Sequence, residues 1–251
     1  SEKLRDLEAE DPTFTGRYDP STRELVISGI GTLHLDAKLK LLKTSFGVEV
    51  NTRPPKIPYK ETVAGSADVT YRHKKQSGGA GQFGEVSIKL EPNQRGGGFE
   101  FVDEIVGGVI SNSLIPSVEK GILKKLEDGI IAGYQVVDIV VRLYDGKMHP
   151  VDSKDIAFQI AGREAIKEAF KKATPILLEP IVKLEVTLPQ TQMGDITSLI
   201  SGKRGLPSGM ESLGDLVMVK AEVPLAELQN FSSELKSITG GAGSYTIEFS
   251  H

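Results

Sequence analysis

The chain has 251 residues, of which 39% are hydrophobic and 25% are charged, and its formal net charge is −4 at pH 7. These values predict an ordinary globular protein with two or three domains. The net charge argues against a protein that coats nucleic acid through its overall charge, although local basic clusters remain compatible with contact. Cysteine is absent, which excludes disulfides, thiolate catalysis and cysteine-ligated zinc. With no long apolar run and no signal-peptide pattern, we expect a cytoplasmic protein without membrane contact.

The first 54 residues predict a helix, two strands, a second helix and a further strand. Leucines spaced along residues 33–42 indicate the second helix, and Gly47 is expected to end it because glycine commonly follows the last helical turn. Val48–Asn51 is predicted to be the final strand. The order matches the β-α-β-β-α-β pattern without its opening strand. We therefore expect a truncated ferredoxin-like domain over residues 1–54, with one sheet position unpaired.

A proline-rich connector at residues 53–58 is a natural domain boundary, and residues 55–175 predict a different α+β module. A hairpin comes first, followed by a strand, a helix, and a nearly continuous apolar strand at Val136–Leu143 whose two faces should both be buried. Asp152 or Ser153 is expected to cap the next helix, since both residue types are favoured at that position.

Residues 176–251 predict strand, helix, strand, strand, helix and strand, which is a complete ferredoxin-like unit. The predicted fold class is therefore α+β, with two ferredoxin-like βαββαβ domains flanking a different α+β domain. Such units carry many unrelated functions, so the fold by itself does not identify one.

The hairpin Tyr71–Val86 carries four basic or potentially basic side chains into a glycine-rich tip. Its end, Gly79–Val86, fits the G-x-G-x-x-G-x-V pattern of a protein-kinase nucleotide loop. The lysine and aspartate motifs that a kinase needs do not follow, and the dinucleotide fingerprint requires a helix where this segment predicts a strand. A solvated turn, a phosphate-contacting tip and a nucleotide site all remain open, and the local residues favour the first two.

Two other positions have both an ordinary and a functional interpretation. His149 lies in a polar loop between a strand and a helix, either simply exposed or presented to RNA, where imidazole stacks on bases or donates to phosphate. Lys203 and Arg204 form a basic pair that is by default a solvated face. The four histidines share no metal-ligand spacing, and neither a Walker loop nor a nucleophile elbow occurs. The chain by itself is predicted to be non-catalytic and to bind no metal or cofactor.

Several long motifs resemble the C-terminal half of bacterial translation elongation factor G. The resemblance extends over nearly the whole chain and is carried by segments similar to its domain III (Leu7–Phe14 and Ile27–Leu35), domain IV (Tyr71–Val86 and His149–Ser153) and domain V (Leu178–Val186 and Val223–Glu227).

The resemblance implies a fragment of a GTPase that promotes GTP-dependent translocation of tRNA and mRNA, with GTP and Mg²⁺ held in an N-terminal domain outside these residues. It implies that the middle domain has the fold of elongation factor G domain IV, the ribosomal protein S5 domain 2-like type, and reaches the decoding site. The implied partners are the ribosome (rRNA, tRNA and mRNA) and the protein's own GTPase domain, and we expect a monomer. The residues implied to contact RNA or the ribosome are Arg72, His73, Lys74, Lys75, Gln76, Ser77, Gly78, Gly79, Gly81, Gln82, Phe83, Lys147, His149, Asp152, Lys203 and Arg204.

Two segments, Ala161–Ala165 and Thr239–Tyr245, depart from the pattern of the main factor and look more like its paralogues. An alternative is therefore a paralogue with a role in recycling or ribosome protection. A stand-alone RNA-binding module is the other alternative. Against it, Val182–Val186 and Val217–Val219 lack the aromatic residues that RNA-recognition sheets display.

Overall fold

The computed structural model describes residues 2–76 and 81–251. The chain divides into two compact units, one made of the residues up to Pro58 together with Pro180–His251, and the other made of Tyr59–Glu179. None of the helices in the described ranges is long and apolar enough to span a membrane.

The N-terminal residues form a helix, a hairpin and a second helix. The bounds are α1 (Glu2–Glu10), β1 (Thr15–Asp19), β2 (Glu24–Ser28) and α2 (Thr32–Phe46). Leu7 and Phe14 are fully buried between the helices and the hairpin. As predicted, α2 ends at Gly47, which adopts the left-handed conformation with φ of 65°, a region that glycine enters without steric cost.

The strand predicted at Val48–Asn51 is wrong, because residues 47–59 contain no strand. In the complete ferredoxin-like unit of this same chain, the last strand pairs with the first. Residues 2–58 supply no first strand, so the backbone at 48–51 has no neighbour with which to form a ladder. An apolar groove of about 410 Å³ lies beside it, lined in part by Leu25, Ile27, Val48 and Val50.

Residues 59–179 build a four-stranded sheet covered by two helices. The elements in chain order are β3 (Lys60–Val63), β4 (Ala67–Lys75), β5 (Gln82–Pro92), β6 (Phe99–Asp103), α3 (Ile115–Asp128), β7 (Ile139–Lys147), α4 (Asp155–Lys172) and β8 (Pro175–Leu178). The sheet order is β4-β5-β7-β6, with β6 and β7 parallel and the other pairs antiparallel. β3 and β8 pair separately. The predicted apolar strand begins at Ile139 instead of Val136, and its first residues are buried on both faces as expected.

Two glycines let α3 and α4 pack closely against each other. A Cβ added at Gly121 would lie 2.1 Å from the backbone oxygen of Gln159, and one at Gly162 would lie 2.6 Å from the backbone oxygen of Val118. Only a residue without a side chain allows this approach. The helix pair covers the inner face of the sheet, where Val86, Ile88 and other side chains form the main core, and leaves the β4–β5 hairpin projecting with its last residues exposed.

Residues 180–251 form the complete unit that the sequence predicted. Its elements are β9 (Ile181–Pro189), α5 (Met193–Gly202), β10 (Leu206–Leu213), β11 (Leu216–Pro224), α6 (Phe231–Thr239) and β12 (Ser244–Phe249), with sheet order β10-β11-β9-β12. Alternate residues of β9, beginning at Val182, are buried beneath the helices, which is the expected period of a half-buried strand. The second helix begins at Phe231, after a 3₁₀ turn formed by Leu225–Leu228.

Candidate nucleic-acid interface

Basic residues occupy the end of the β4–β5 hairpin. The register pairs Arg72 with Glu85, Lys74 with Phe83, and Lys75 with Gln82. Lys74 and Lys75 are exposed, and Gln76, the last described residue before the hairpin end, is exposed as well. Residues Ser77, Gly78 and Gly79, which the sequence also assigned to this contact, lie outside the described residues.

The segment that follows β7 lies directly against the hairpin end. The Phe83 N–H donates to the Asp152 carbonyl at 2.9 Å, and the Ser153 hydroxyl donates to the Phe83 carbonyl at 2.8 Å. β7 also places Lys147 opposite Glu85. Segments some 70 residues apart in sequence are therefore bonded to each other, and they bring Gln82, Phe83, Lys147, His149 and Asp152 together as one surface, which we call the tip cluster.

His149 is half-exposed, with 53% of its side chain accessible. Its backbone N–H donates to the Ser153 hydroxyl at 2.8 Å. Its Nδ1 accepts from the backbone N–H groups of Val151 and Asp152 at 3.4 and 3.3 Å. A ring nitrogen that accepts carries no proton, so the neutral imidazole holds its proton on Nε2. Nε2 is thus the atom with which His149 donates to a ligand.

A carboxylate and an aromatic ring stand beside this imidazole. The Asp152 carboxylate lies 3.5 Å from Nδ1, which becomes an ion pair only when the imidazole is protonated. The Phe83 ring is tilted against the imidazole with centroids 6.3 Å apart. A Cβ at Gly81 would lie 2.8 Å from the Asp152 carboxylate. A side chain at this position would therefore have to displace the Asp152 carboxylate.

Glu85 pairs with two of the basic residues predicted to contact RNA, and its single negative charge offsets one of their two positive charges. It forms ion pairs with Arg72 on the neighbouring strand and with Lys147, whose Nζ lies 3.7 Å from it. The Glu85 side chain is only 8% exposed, whereas those of Arg72 and Lys147 are 56% and 66% exposed. Lys74 and Lys75 extend beyond this group into solvent. The cations around the tip cluster outnumber its carboxylates, which gives the surface a net positive charge suited to phosphate.

His73 does not accompany its basic neighbours. Its Nε2 lies 3.0 Å from Oε1 of Gln82, and both side chains are half-buried. These two predicted contact residues therefore bond each other across the hairpin. They support the tip cluster from the helix-covered side of the sheet, while Lys74 lies on the opposite, exposed side.

Lys203 and Arg204 belong to the other compact unit and are not part of the tip cluster. Lys203 is 13% exposed, pairs with Glu234 at 2.7 Å, and donates to the Glu227 carbonyl at 3.0 Å. Arg204 pairs with the Glu227 carboxylate at 2.9 Å. The local pattern predicted a solvated face or a contact surface. The structure places Lys203 in an intramolecular bridge to α6.

Ser153 has a different role from the one the sequence predicted. The prediction that Asp152 or Ser153 caps α4 is wrong, because the residue preceding the helix is Lys154 and no side chain caps it. The carbonyl of Phe83, distant in sequence, takes the Ser153 hydroxyl hydrogen instead. The sequence around Ser153 does not indicate that the Phe83 carbonyl will accept this hydrogen bond.

Potential metal-ligating side chains do not cluster within the described residues. Among residues 2–76 and 81–251, no group of three or more histidine, aspartate or glutamate side chains could hold a metal ion. The sequence also lacks the glycine-rich loop with lysine that cradles nucleotide phosphates.

Models of one protein family match three successive parts of the chain. Family models match over residues 1–54 (elongation factor G, domain III), 55–174 (elongation factor G, domain IV) and 176–251 (elongation factor G C-terminus). An elongation factor G-like protein of Thermotoga maritima is 52% identical over 250 residues, which is 99% of this chain and 37% of that protein. Elongation factor G of Aquifex pyrophilus is 48% identical over 242 residues, 96% of this chain and 35% of the relative.

A crystal structure of a protein from Thermus thermophilus superposes on the whole chain. The TM-score is 0.86 at 43% identity, and the match covers 100% of this chain and 37% of that one. The chain thus spans little more than a third of the proteins it matches. Since three family models together account for nearly every residue, and relatives near 50% identity align along its length, the chain belongs to the elongation factor G family.

Proposed function

We propose that this chain is the ribosome-contacting portion of a translational GTPase, and that the tip cluster contacts RNA at the decoding site during GTP-dependent movement of tRNA and mRNA. Family membership supports the general role in translation elongation. The proposed RNA contact rests on one observation. Two segments distant in sequence are hydrogen-bonded at one end of a sheet, where they present exposed lysines and an imidazole donor.

The chemistry of the tip cluster suits a phosphate-rich partner. Lys74 and Lys75 are exposed cations beside it, and each phosphate that a cation neutralises releases condensed counterions, so binding weakens as salt rises. His149 adds a directional donor at Nε2, suited to a phosphate oxygen or a 2′-hydroxyl. The lysines therefore contribute affinity, and His149 contributes geometry.

The rest of the proposal follows from the family. The chain itself is proposed to be non-enzymatic, with GTP and Mg²⁺ bound by an N-terminal domain of a longer parent protein. That protein is proposed to work as a cytoplasmic monomer whose partners are the ribosome, with its rRNA, tRNA and mRNA, and its own GTPase domain.

Ribosome binding by the 251-residue chain tests the charge contribution. We expect the double variant Lys74→Ala/Lys75→Ala to bind more weakly and to show a smaller dependence of log K on log salt, by about 0.7–0.9 for each phosphate that is no longer neutralised. The matched control, Lys171→Ala/Lys172→Ala, removes two exposed lysines at the end of α4 and should leave the slope unchanged. Equal slopes for the two double variants would contradict the proposed contact.

The full-length product of the gene tests the translocation step. We expect the wild type to hydrolyse GTP on ribosomes and to support single-round translocation. His149→Ala should slow translocation while GTP hydrolysis is largely retained. Equal loss of both activities would remove the proposed division of labour. Hydrolysis without translocation by the wild type would instead identify a paralogue with another ribosomal role.

A further inference from the structure

The Ser153 hydroxyl sits at the junction of the two segments of the tip cluster. It accepts from the His149 N–H at 2.8 Å and donates to the Phe83 carbonyl at 2.8 Å. A hydroxyl has one hydrogen to donate, and here Phe83 takes it. The hydroxyl therefore links the loop that carries His149 to the end of β5.

The hydroxyl is free for this role because α4 does not use it. No side chain caps α4, and the amides of Ala157 and Phe158 near its start donate to the Lys154 carbonyl. The Ser153 N–H donates to the His149 carbonyl at 3.2 Å. Residues 149–153 therefore form a closed turn in which Ser153 bonds both the N–H and the carbonyl of His149.

This turn determines where the imidazole of His149 points. The amides of Val151 and Asp152 that donate to Nδ1 belong to the same turn, and the Phe83 N–H that donates to the Asp152 carbonyl anchors it to the hairpin. Loosening the turn removes the ring's two weak acceptor contacts and lets χ1 and χ2 of His149 vary. Nε2–H would then spend less time directed outward.

From this geometry we propose that Ser153 is a positioning residue of the tip cluster: its hydroxyl holds the His149 turn against β5 and so orients the Nε2–H donor toward RNA. This inference rests on the proposed decoding-site function. Ser153 itself is half-buried and acts through His149. Removing its hydroxyl breaks two neutral hydrogen bonds at a site that water can reach, so the fold is retained while the orientation is lost.

Single-round translocation by the full-length product, with ribosomes saturated, is the activity test. We expect Ser153→Ala to slow translocation about tenfold, as the removal of two net hydrogen bonds in the oriented state predicts. Ser153→Thr, which keeps the hydroxyl, should stay within about threefold of the wild type. The control Ser198→Ala removes a hydroxyl that bonds only within α5 and should not change the rate. A Ser153→Ala rate within about twofold of the wild type would overturn the inference.

A double-mutant cycle distinguishes positioning from a general structural effect. In a His149→Ala background the further change Ser153→Ala should have little effect, because the group that it orients is gone. An undiminished tenfold loss in that background would show that Ser153 does not act through His149. A wild type without translocation activity would contradict the proposed function and not this inference, for which the following measurement remains.

Imidazole NMR of the 251-residue chain reports on the orientation directly. His149→Ala identifies the His149 signals among those of the four histidines. In the wild type we expect one tautomer protonated at Nε2 and nuclear Overhauser contacts between the His149 and Phe83 rings. In Ser153→Ala these contacts should weaken and the ring nitrogen shifts should move toward those of free histidine. Identical spectra for the two proteins would overturn the inference.

Discussion

Glu61 is a fully buried carboxylate that holds the loop after α3 in place. Its Oε2 accepts the N–H groups of Ile130 and Ile131 at 2.8 and 2.9 Å, and its Oε1 accepts those of Ala132 and Tyr134 at 2.7 and 3.1 Å. Burial would by itself raise the pKa of Glu61, but the four backbone donors outweigh burial and lower it below the ordinary value. We expect Glu61→Gln to destabilise the unit at residues 59–179 strongly.

The magnitude follows from counting donors. Glutamine keeps one oxygen, which satisfies two of the amides, and turns an NH₂ group toward the other two. Two charge-assisted hydrogen bonds, each worth about 1.5–3 kcal/mol net, are lost. After relaxation we expect a decrease of about 3 kcal/mol in the free energy of unfolding at pH 7. The exposed carboxylate of Glu127, at the end of α3, provides the control Glu127→Gln, which should change stability by less than about 0.5 kcal/mol.

The pH dependence gives a second test of Glu61. A carboxylate whose pKa is lowered on folding stabilises the protein above its unfolded pKa, and this stabilisation is lost as the pH falls through the folded pKa. The difference between the wild type and Glu61→Gln should therefore be full at pH 7 and shrink below about pH 4.5. Unfolding in urea, monitored by the hydrogen exchange of peptides within residues 59–179, measures the stability of this unit separately. A difference below about 1 kcal/mol at pH 7, or one independent of pH, would refute the reasoning.

Two further predictions concern packing and an ion pair. Gly121→Ala places a Cβ against the backbone of α4. It should lower the stability of the unit at residues 59–179 by about 1–3 kcal/mol in the same exchange assay. Gly194→Ala, with open space around its Cβ, should not lower stability, and equal effects of the two substitutions would contradict the close approach of α3 and α4. Asp11 accepts from the Thr13 hydroxyl and pairs with Lys38 at 2.9 Å, and these contacts hold the pKa of Asp11 well below the usual range. Asp11→Asn should therefore speed hydrogen exchange in residues 2–58 at pH 7, and the effect should shrink as the pH falls into the acid range. Unchanged exchange would show that these contacts add no stability.

Elements defined by local signals were predictable from the sequence. α2 ends at Gly47, as glycine's access to the left-handed region predicts, and the last strand predicted within residues 176–251 is present as β12. The first strand predicted within residues 176–251 is present as β9, and its alternate residues are buried. In each case the decisive physics, either periodicity or a single backbone conformation, lies within the segment.

Features that depend on a distant partner were not predictable. The strand expected at Val48–Asn51 has suitable side chains but no neighbouring strand, and strand formation requires one. Serine is a residue type favoured at helix N-caps, yet the Ser153 hydroxyl donates to the carbonyl of Phe83, 70 residues earlier in the sequence. Glu61 lies in a short strand without any unusual pattern, and the amides that it binds begin 69 residues later. No local statistic carries these contacts.

The structure brings together some of the residues that the sequence predicted to contact RNA, but the contacts that each of them makes were not predictable. Two adjoining strand pairings bring the hairpin end and the loop after β7 together, which agrees with the resemblance to domain IV. Local patterns could not separate charges that are bound within the protein from charges that are available to a ligand. Lys203 forms an ion pair with Glu234, and Arg72 forms one with Glu85. Local patterns do not show these pairs, since each partner lies on another strand or helix.

Ion pairing within the protein therefore reduces the charge that some of the predicted contacts present to a ligand. Within the described part of the hairpin, Glu85 binds Arg72 and Lys147, whereas Lys74 and Lys75 extend past it into solvent. A flexible lysine side chain gains energy from any nearby phosphate, so its removal lowers affinity with little regard to position. An imidazole held by a closed turn donates in one direction, so its removal affects the arrangement of the bound RNA more than affinity. The salt dependence of binding should therefore change when Lys74 and Lys75 are replaced, because it reports the exposed cations. The translocation rate should change when His149 or Ser153 is replaced, because it reports the orientation of the imidazole.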